Sequence, residues 1–472
     1  MRIIGRKKEI EILDLLTKTS KPEFLVVYGR RRVGKTYLVK EYFNNQFAFY
    51  ATGLLNGNMK SELKAFNDSL RSYGFLERKA PADWYEAFSR LRKMIESENV
   101  KKDALTGKVV VFLDEVPWMD TAKSDFKSAL DYFWNTYGST NPNLLLIVCG
   151  SATSWIVNNI LSDRGGFYNR ITRRIHLMPF TIKECAEFYE FNNIPFSKRQ
   201  IFESYMIFGG IPYYLNLLNS RLSLAQNVDE LIFSLTGELH FEYNHLFKSL
   251  FKNYDKHEKI IKELAKVKNG LTRLDLSKKK EIGDGRPLTV ALEELEESGF
   301  VRKYNSINKD KSGYFYQLVD SFTLFYNKVI NEDKTSSWIN YIGTPSYYAW
   351  CGNAFEILCL NHIEEIKGLL GISGVNSSIY AWRSKTSSPN VQIDLIIDRK
   401  DDVINICEMK YSDNAFIINA SLEKELLNKK ETFREETKTK KACLLTLVTI
   451  NGVSHNEYYG VIQNEVNIGD LL

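Results

Sequence analysis

FLVVYGRRRVGKTYLVKEYF, Phe24 to Phe43, passes from an apolar run through a basic, glycine-containing turn into residues at helical spacing. A strand that feeds a helix through a glycine turn is the repeating unit of parallel α/β sheets, so this stretch decides the fold class. Within it, GRRRVGKT fits the pattern GxxxxGK[ST]. Gly29 and Gly34 let the backbone curl so that its N–H groups face an anion at a helix N-terminus. Lys35 is placed to reach β and γ phosphates, and Thr36 to ligate Mg2+. The expected nucleotide contacts are therefore Gly29, Arg30, Arg31, Arg32, Val33, Gly34, Lys35 and Thr36, with Tyr37 behind them, and the expected cofactors are ATP and Mg2+. The competing reading is a chance match in a basic turn. The strand-turn-helix context weighs against it.

A second buried strand, VVVFLDEVPWMD (Val109 to Asp120), ends in two adjacent carboxylates. In phosphoryl transfer one acid holds the Mg2+ shell and its neighbour orients the attacking water. Asp114 is assigned to the metal and Glu115 to the water. A solvated acidic strand end is the alternative, but it leaves the pairing with a phosphate-type loop unexplained. LLLIVCGSATSWI ends a third buried strand at Ser151, where a sensor of the γ-phosphate would sit, with Thr153 the weaker candidate. Arg164, Arg170, Arg173 and Arg174 follow. One of them can stabilise the charge that develops in hydrolysis, in cis or from a neighbouring subunit, and Arg170 is favoured. A basic surface loop explains any one of them equally well.

The 472 residues exceed what one core supports, and three or four domains are expected. With 26% charged and 44% hydrophobic residues the composition is that of a globular protein, and no run of about 18 apolar residues suggests a membrane span. The opening MRIIGRKKEIEILDLL lacks the apolar core of a secretion signal, so a cytoplasmic chain without membrane association is expected. Six cysteines without a CxxC pair or a Cys/His cluster give neither a disulfide framework nor a zinc site. The net charge of +5 permits contact with a phosphate polymer without demanding it.

GRKKEIEIL (Gly5 to Leu13), GRRRVGKT, FLDEV, CGS and FGGIPYYL (Phe208 to Leu215) together resemble the AAA-related, archaeal-type ATPases close to the STAND class, which are similar to origin-recognition ATPases. The resemblance covers roughly residues 1 to 240. It implies that Gly5 and Arg6 pack beside the nucleotide base, and that Gly210 and Pro212 lie in a helical lid that senses the nucleotide. Homo-oligomers are a further expectation, since an arginine supplied in trans needs a neighbour.

From Phe241 to about Glu332 short helical patterns lead into a hairpin pattern, an order similar to a winged helix-turn-helix. Its candidate recognition helix carries Glu293, Glu294, Glu296 and Glu297, which phosphates repel. Arg286 and Thr289 at the start of that helix, and Lys278, Lys279, Lys280, Lys309 and Lys311 nearby, still permit contact with DNA. A packing or relay role is the equal alternative.

After the polar junction INEDKTSSWINYIGTPS, the last part of the chain reads as a separate α/β pattern. QIDLIID and VINICEMK form a hairpin in which Asp394 and Glu408 can lie side by side and grip one Mg2+ through hard oxygens. Glu408 and Lys410 point to the same face, so Lys410 can orient water or steady the developing charge. A plain solvated hairpin also alternates, but Ile406, Cys407 and Met409 make the strand look buried. This region resembles the PD-(D/E)xK nuclease superfamily in the form fused to archaeal-type ATPases, often called DUF234. Asp394 matches the first acid, Glu408-Met409-Lys410 the ExK element and Glu356 the acid on the preceding helix. Ile393 stands where the pattern has Pro. The resemblances imply an α/β multidomain chain: a P-loop ATPase core over residues 1–180, a helical lid over 181–240, a winged-helix-like domain over 241–335 and a nuclease-like domain over 340–472. Two functions remain open. One is an ATP-dependent enzyme acting on nucleic acid, with DNA favoured; the other is a nucleotide-controlled switch or scaffold that binds without cutting.

Overall fold

The computed structural model describes residues 3–161, 167, 169–251, 253–305, 314–384 and 391–472, arranged as two compact units, Met1–Pro179 and Phe180–Leu472. Arg164, Lys309 and Lys311 lie outside the described residues.

The first unit is built on five strands, β1 (Glu23–Tyr28), β2 (Phe49–Thr52), β3 (Val109–Asp114), β4 (Leu144–Gly150) and β5 (Arg173–His176). They form one sheet in the order β2-β3-β4-β1-β5, and every neighbouring pair is parallel. Continuous apolar runs such as VVVFLD are what such strands require, because helices cover both faces of a parallel sheet. Every residue of β3 and β4 is buried. Helices Trp84–Ile95 and Phe126–Thr136 pack on each other, with Trp84 edge-on to Phe126 at 4.8 Å. β4 lies between β1 and β3, so the phosphate-type loop, the end of β4 and the acidic end of β3 stand in a row at one edge of the sheet. In an open parallel sheet, ligands bind at the carboxyl ends of the strands.

Capping boxes start helices of the second unit, among them Thr181 with Glu184 before Ile182–Phe191 and Ser197 with Gln200 before Lys198–Phe208. Each box satisfies backbone donors that a helix N-terminus leaves open. Helices Glu242–Leu250, Tyr254–Ala265, Arg273–Ser277 and Arg286–Glu297 then accompany a small antiparallel sheet of β6 (Leu271–Thr272), β7 (Val301–Asn305) and β8 (Tyr314–Leu318), in the order β6-β8-β7. The acidic helix there is partly turned inward. Glu294 meets the buried His257 at 2.7 Å, and burial, aided by Glu293, pushes Glu297 up to about 7.

The expected polar junction is packed. Trp338 is fully buried among Phe325, Tyr347 and Trp350, and Asp229 accepts hydrogen bonds from Ser337 Oγ at 3.0 Å and from the backbone N–H groups of Trp338 and Ile339. The stretch YYAWCGNAFEILCLNHIEEIKGLL folds as two helices, Pro345–Asn361 and Ile363–Leu369, with a break at His362. The buried His362 ring interacts with Leu358 O through Nδ1 at 2.8 Å, while Nε2 accepts from Ile182 N–H at 2.9 Å. The ring thus satisfies another helix's N-terminal donor.

The remaining strands are β9 (Ser377–Arg383), β10 (Gln392–Arg399), β11 (Val403–Met409), β12 (Ala442–Thr449) and β13 (Asn464–Asn467). They form a mixed sheet in the order β13-β12-β11-β10-β9. Both β9 with β10 and β10 with β11 are antiparallel, and the other two pairs are parallel. Helix Ala420–Thr437 makes the crossover from β11 to β12.

Candidate functional site

In the first unit the phosphate-type loop joins β1 to helix Lys35–Tyr42. Gly29 has φ 143° and a Cβ there would lie 2.3 Å from Leu177 O, so only glycine fits. Gly34 caps the helix at φ 94°, and among the described residues no atom lies within 4 Å of where its Cβ would be. Arg30 and Val33 are buried, Arg31 and Arg32 are half-buried, and Tyr37 is exposed. Arg32 itself is left-handed, with φ 73°. Gly5 and Arg6 precede helix Lys7–Lys18, both left-handed. The buried Arg6 guanidinium donates to Met178 O at 2.8 Å and Val33 O at 3.1 Å. It therefore braces the loop from behind.

The buried Lys35 ammonium donates to Gly29 O and Arg30 O, both at 2.9 Å, and to Ser151 Oγ at 3.1 Å. Burial lowers its pKa, against the opposing pull of Cys149, Glu115 and Asp114. Ser151 in turn donates to Glu115, through Oγ and through its backbone N–H at 3.0 Å. Thr36 Oγ1 donates to Asp114 Oδ2 at 2.8 Å. Glu115 sits in the left-handed region at φ 48°, which costs a non-glycine residue of order 1 kcal/mol and is typical of functional turns. The turn is boxed in: a Cβ on Gly53 would lie 2.6 Å from Glu115 O, and one on Gly150 2.7 Å from Pro117.

The structure thus brings Lys35, Thr36, Asp114, Glu115 and Ser151 into one hydrogen-bonded group. Thr36 hydroxyl and Asp114 carboxylate are hard oxygen donors, the set that suits Mg2+. Thr153 begins helix Thr153–Ile156, and its buried hydroxyl has no hydrogen-bond partner among the described residues. Arg170 is tied to Asp131 on helix Phe126–Thr136, and Arg173 and Arg174 lie exposed on β5. Sequence reasoning missed His176, which stacks on Tyr28 at 4.6 Å; burial and then the Lys35 charge lower its pKa. Gly210 and Pro212 belong to the second unit. Gly210 is left-handed and a Cβ there would lie 2.3 Å from Phe180 O, while Pro212 opens helix Pro212–Leu215.

The second candidate site lies on the C-terminal sheet. The register that pairs Leu395 with Cys407 places Asp394 and Glu408 opposite each other at the next position. A bulge between Ile393 and Ile396 shifts β10 against β9 at this point, a device that re-aims side chains. Glu356, on helix Pro345–Asn361, completes an acidic group. Burial and then Asp394 push Glu356 up to about 7. Burial and then Glu408 raise Asp394. Burial also acts to raise Glu408, but Lys429 and Lys410 overcome it and hold that carboxyl low.

Each of these acids already has a cationic neighbour. Glu408 pairs with Lys410 at 2.9 Å and Lys429 at 2.7 Å, and Glu356 pairs with Lys268 at 2.8 Å. Arg302 Nη2 lies 3.5 Å from Asp394 O. Among the described residues, no three His, Cys, Asp or Glu side chains are gathered as a metal-holding group. The expected three-carboxylate set is therefore brought together as a charge cluster and not as a closed ligand cage. Its oxygen-only chemistry still fits Mg2+. Sequence reasoning missed Lys429, on helix Ala420–Thr437. A signal was present, since Leu422, Leu426, Lys429 and Phe433 fall at i, i+4, i+7 and i+11, and the three apolar members are buried.

Residues 3–218 match the family of ATPase domains found predominantly in Archaea. An uncharacterized protein of Methanocaldococcus jannaschii is 25% identical over 331 residues, covering 69% of this chain and 68% of that protein. An uncharacterized ATP-binding protein of the same organism is 42% identical over 43 residues, 9% of this chain and 73% of that protein. Among solved structures, a Walker-type ATPase of Pyrococcus abyssi superposes with a TM-score of 0.48 at 17% identity, over 69% of this chain and 96% of that one. No helix among the described residues is long and apolar enough to cross a membrane.

Proposed function

We propose that this chain, which carries an archaeal-type ATPase domain over residues 3–218, binds and hydrolyses ATP in its first unit and hydrolyses a phosphodiester of nucleic acid, DNA favoured, at the acidic site of its second. The observation that carries the reading is the hydrogen-bonded chain from Lys35 through Ser151 to Glu115, beside the Thr36–Asp114 pair. Lys35 is held by two backbone carbonyls, neutral partners that a phosphate oxygen outcompetes, so the ammonium can turn to the β and γ phosphates. Ser151 then exchanges its donor from Glu115 to the γ-phosphate. That exchange frees Glu115 to accept a hydrogen bond from the attacking water and orient it. Thr36 and Asp114 are the residues that would hold Mg2+, which when bound neutralises phosphate charge. Arg6 supports the loop, Gly210 and Pro212 belong to a lid over residues 181–240, and Arg170 serves as finger by exchanging Asp131 for a nucleotide in a homo-oligomer.

For the second unit, the helix order and the three-stranded sheet of residues 241–335 favour a winged-helix-like module, and residues 340–472 a PD-(D/E)xK nuclease-like domain. Asp394, Glu408 and Glu356 would hold Mg2+, which supplies Lewis-acid activation when bound. Lys410, on the same face as Glu408, steadies charge on the scissile phosphate. The alternative is a nucleotide-controlled switch that binds DNA or a partner without cutting. It is favoured by a specific observation, the pairing of Glu408 and Glu356 with lysines. Incubation of the purified chain with single- and double-stranded DNA and RNA, with Mg2+ or Mn2+ and with or without ATP, separates the two. Metal-dependent cleavage lost in Asp394→Asn supports the enzyme. Binding without cleavage under every condition supports the switch.

A further inference from the structure

We infer that residues Lys268 to Arg302 carry a built-in clamp that closes the acidic site of the second unit: Lys268, with Arg302 beside it, supplies the positive charge that a divalent cation would otherwise bring. The inference rests on reading Glu356, Asp394 and Glu408 as metal ligands. Lys410 directly follows β11 and Lys429 lies on the crossover helix, so both belong to the site's own elements. Lys268 comes from elsewhere, the turn between helix Tyr254–Ala265 and β6, and places its ammonium 2.8 Å from Glu356. Arg302 comes from β7 and reaches the Asp394 carbonyl.

The turn is fixed from several directions. Gln317 Nε2 donates to Lys268 O at 2.5 Å, and the Gln317 carbonyl accepts from Arg302 Nε at 2.7 Å, so one side chain couples both cations. The Tyr304 hydroxyl donates to Asn269 O, and the Asn269 amide pairs with that of Gln392 at the start of β10. Gly270 then turns the chain at φ 72°, where a Cβ would lie 2.2 Å from Tyr316 O. These bonds hold the Lys268 turn against Glu356. The Lys268 side chain is half exposed, so its ammonium can swing from Glu356 into solvent. Lifting this one turn would expose Glu356 while leaving the sheet intact. An ammonium and a divalent ion compete for the same carboxylate, so removing the ammonium leaves the Glu356 oxygens open to the ion.

The test is calorimetric titration of Mn2+ into the nucleotide-free full chain, comparing wild type, Lys268→Met, Asp394→Asn and the double variant. The clamp predicts that Lys268→Met tightens Mn2+ binding by roughly tenfold, and that the gain disappears in the double variant. Asn269→Ala, which loosens the turn without removing charge, shifts affinity in the same direction by less. Equal affinity in wild type and Lys268→Met, with binding lost in Asp394→Asn, overturns the clamp and leaves the metal site standing. Mn2+ binding that is indifferent to Asp394 in every background overturns the metal reading and the clamp together.

Discussion

The two candidate sites use the same residue types, lysine and carboxylate, in opposite ways. In the first unit Lys35 donates to two backbone carbonyls and a serine, and among the described residues no carboxylate pairs with it. In the second unit Lys410 and Lys429 bind Glu408 directly, and Lys268 binds Glu356. A cation held by neutral dipoles keeps most of its charge available for an incoming anion. A cation held by a carboxylate has spent it. The first site is therefore prepared for phosphate as it stands, whereas the second needs a rearrangement of its own cations before a metal or a phosphodiester can enter.

The largest effect expected from that difference falls on Asp394. Asp394→Asn should abolish any metal-dependent cleavage in a gel assay while leaving ATP turnover within about twofold, because the two sites lie in different units; loss of both activities together would break the comparison. Next comes Lys35→Ala, which should weaken ATP binding by roughly a hundredfold, as expected for losing a charge-assisted hydrogen bond to phosphate. An unchanged affinity by fluorescence titration would mean that the ammonium is committed to its carbonyls. Gly29→Ala probes the loop geometry behind both statements. The added methyl collides with Leu177 O in a left-handed conformation, so unfolding in urea should show about 2–4 kcal/mol lost. A wild-type midpoint would show that the loop is free to shift.

The smallest effect concerns Glu62, outside both sites. Its carboxylate accepts from Leu54 N–H at 3.0 Å, and burial raises it from 4.5 to about 7. A carboxyl whose folded pKa lies above its unfolded one keeps its proton in the native state while the unfolded chain has released it. Stability is therefore fully present below about pH 4.5 and declines as pH rises to about 7. Glu62→Gln keeps the acceptor and removes the titration, so urea midpoints between pH 4.5 and 7 should fall less steeply than in wild type. Parallel slopes would place Glu62 in contact with water.

Much of the first site was legible because each of its parts is local. GRRRVGKT and FLDEV each name their residues within a few positions, and apolar runs on either side announce parallel strands. Distance in the chain hid the rest. The role of Arg6 as a brace depends on Val33 and Met178, and nothing near Arg6 in sequence signals them. The break at His362 depends on Ile182, which no helical periodicity can report. In the second site Asp394, Glu408 and Lys410 were visible from strand alternation, but their neutralisation was not. Lys268 and Arg302 approach from a different segment. Lys429 was masked by a helix whose many charges dilute its apolar stripe.

The most direct measurement is single-turnover ATP hydrolysis in wild type and Glu115→Gln, with nucleotide affinity determined on the same samples. Glutamine retains the shape of Glu115 and one of its two acceptor oxygens for Ser151, but it loses the charge that would orient the attacking water. The account predicts equal affinity with turnover reduced by roughly a hundredfold or more. Turnover equal to wild type would contradict it, and would remove Glu115 and the chain leading to it from Lys35 as the centre of hydrolysis.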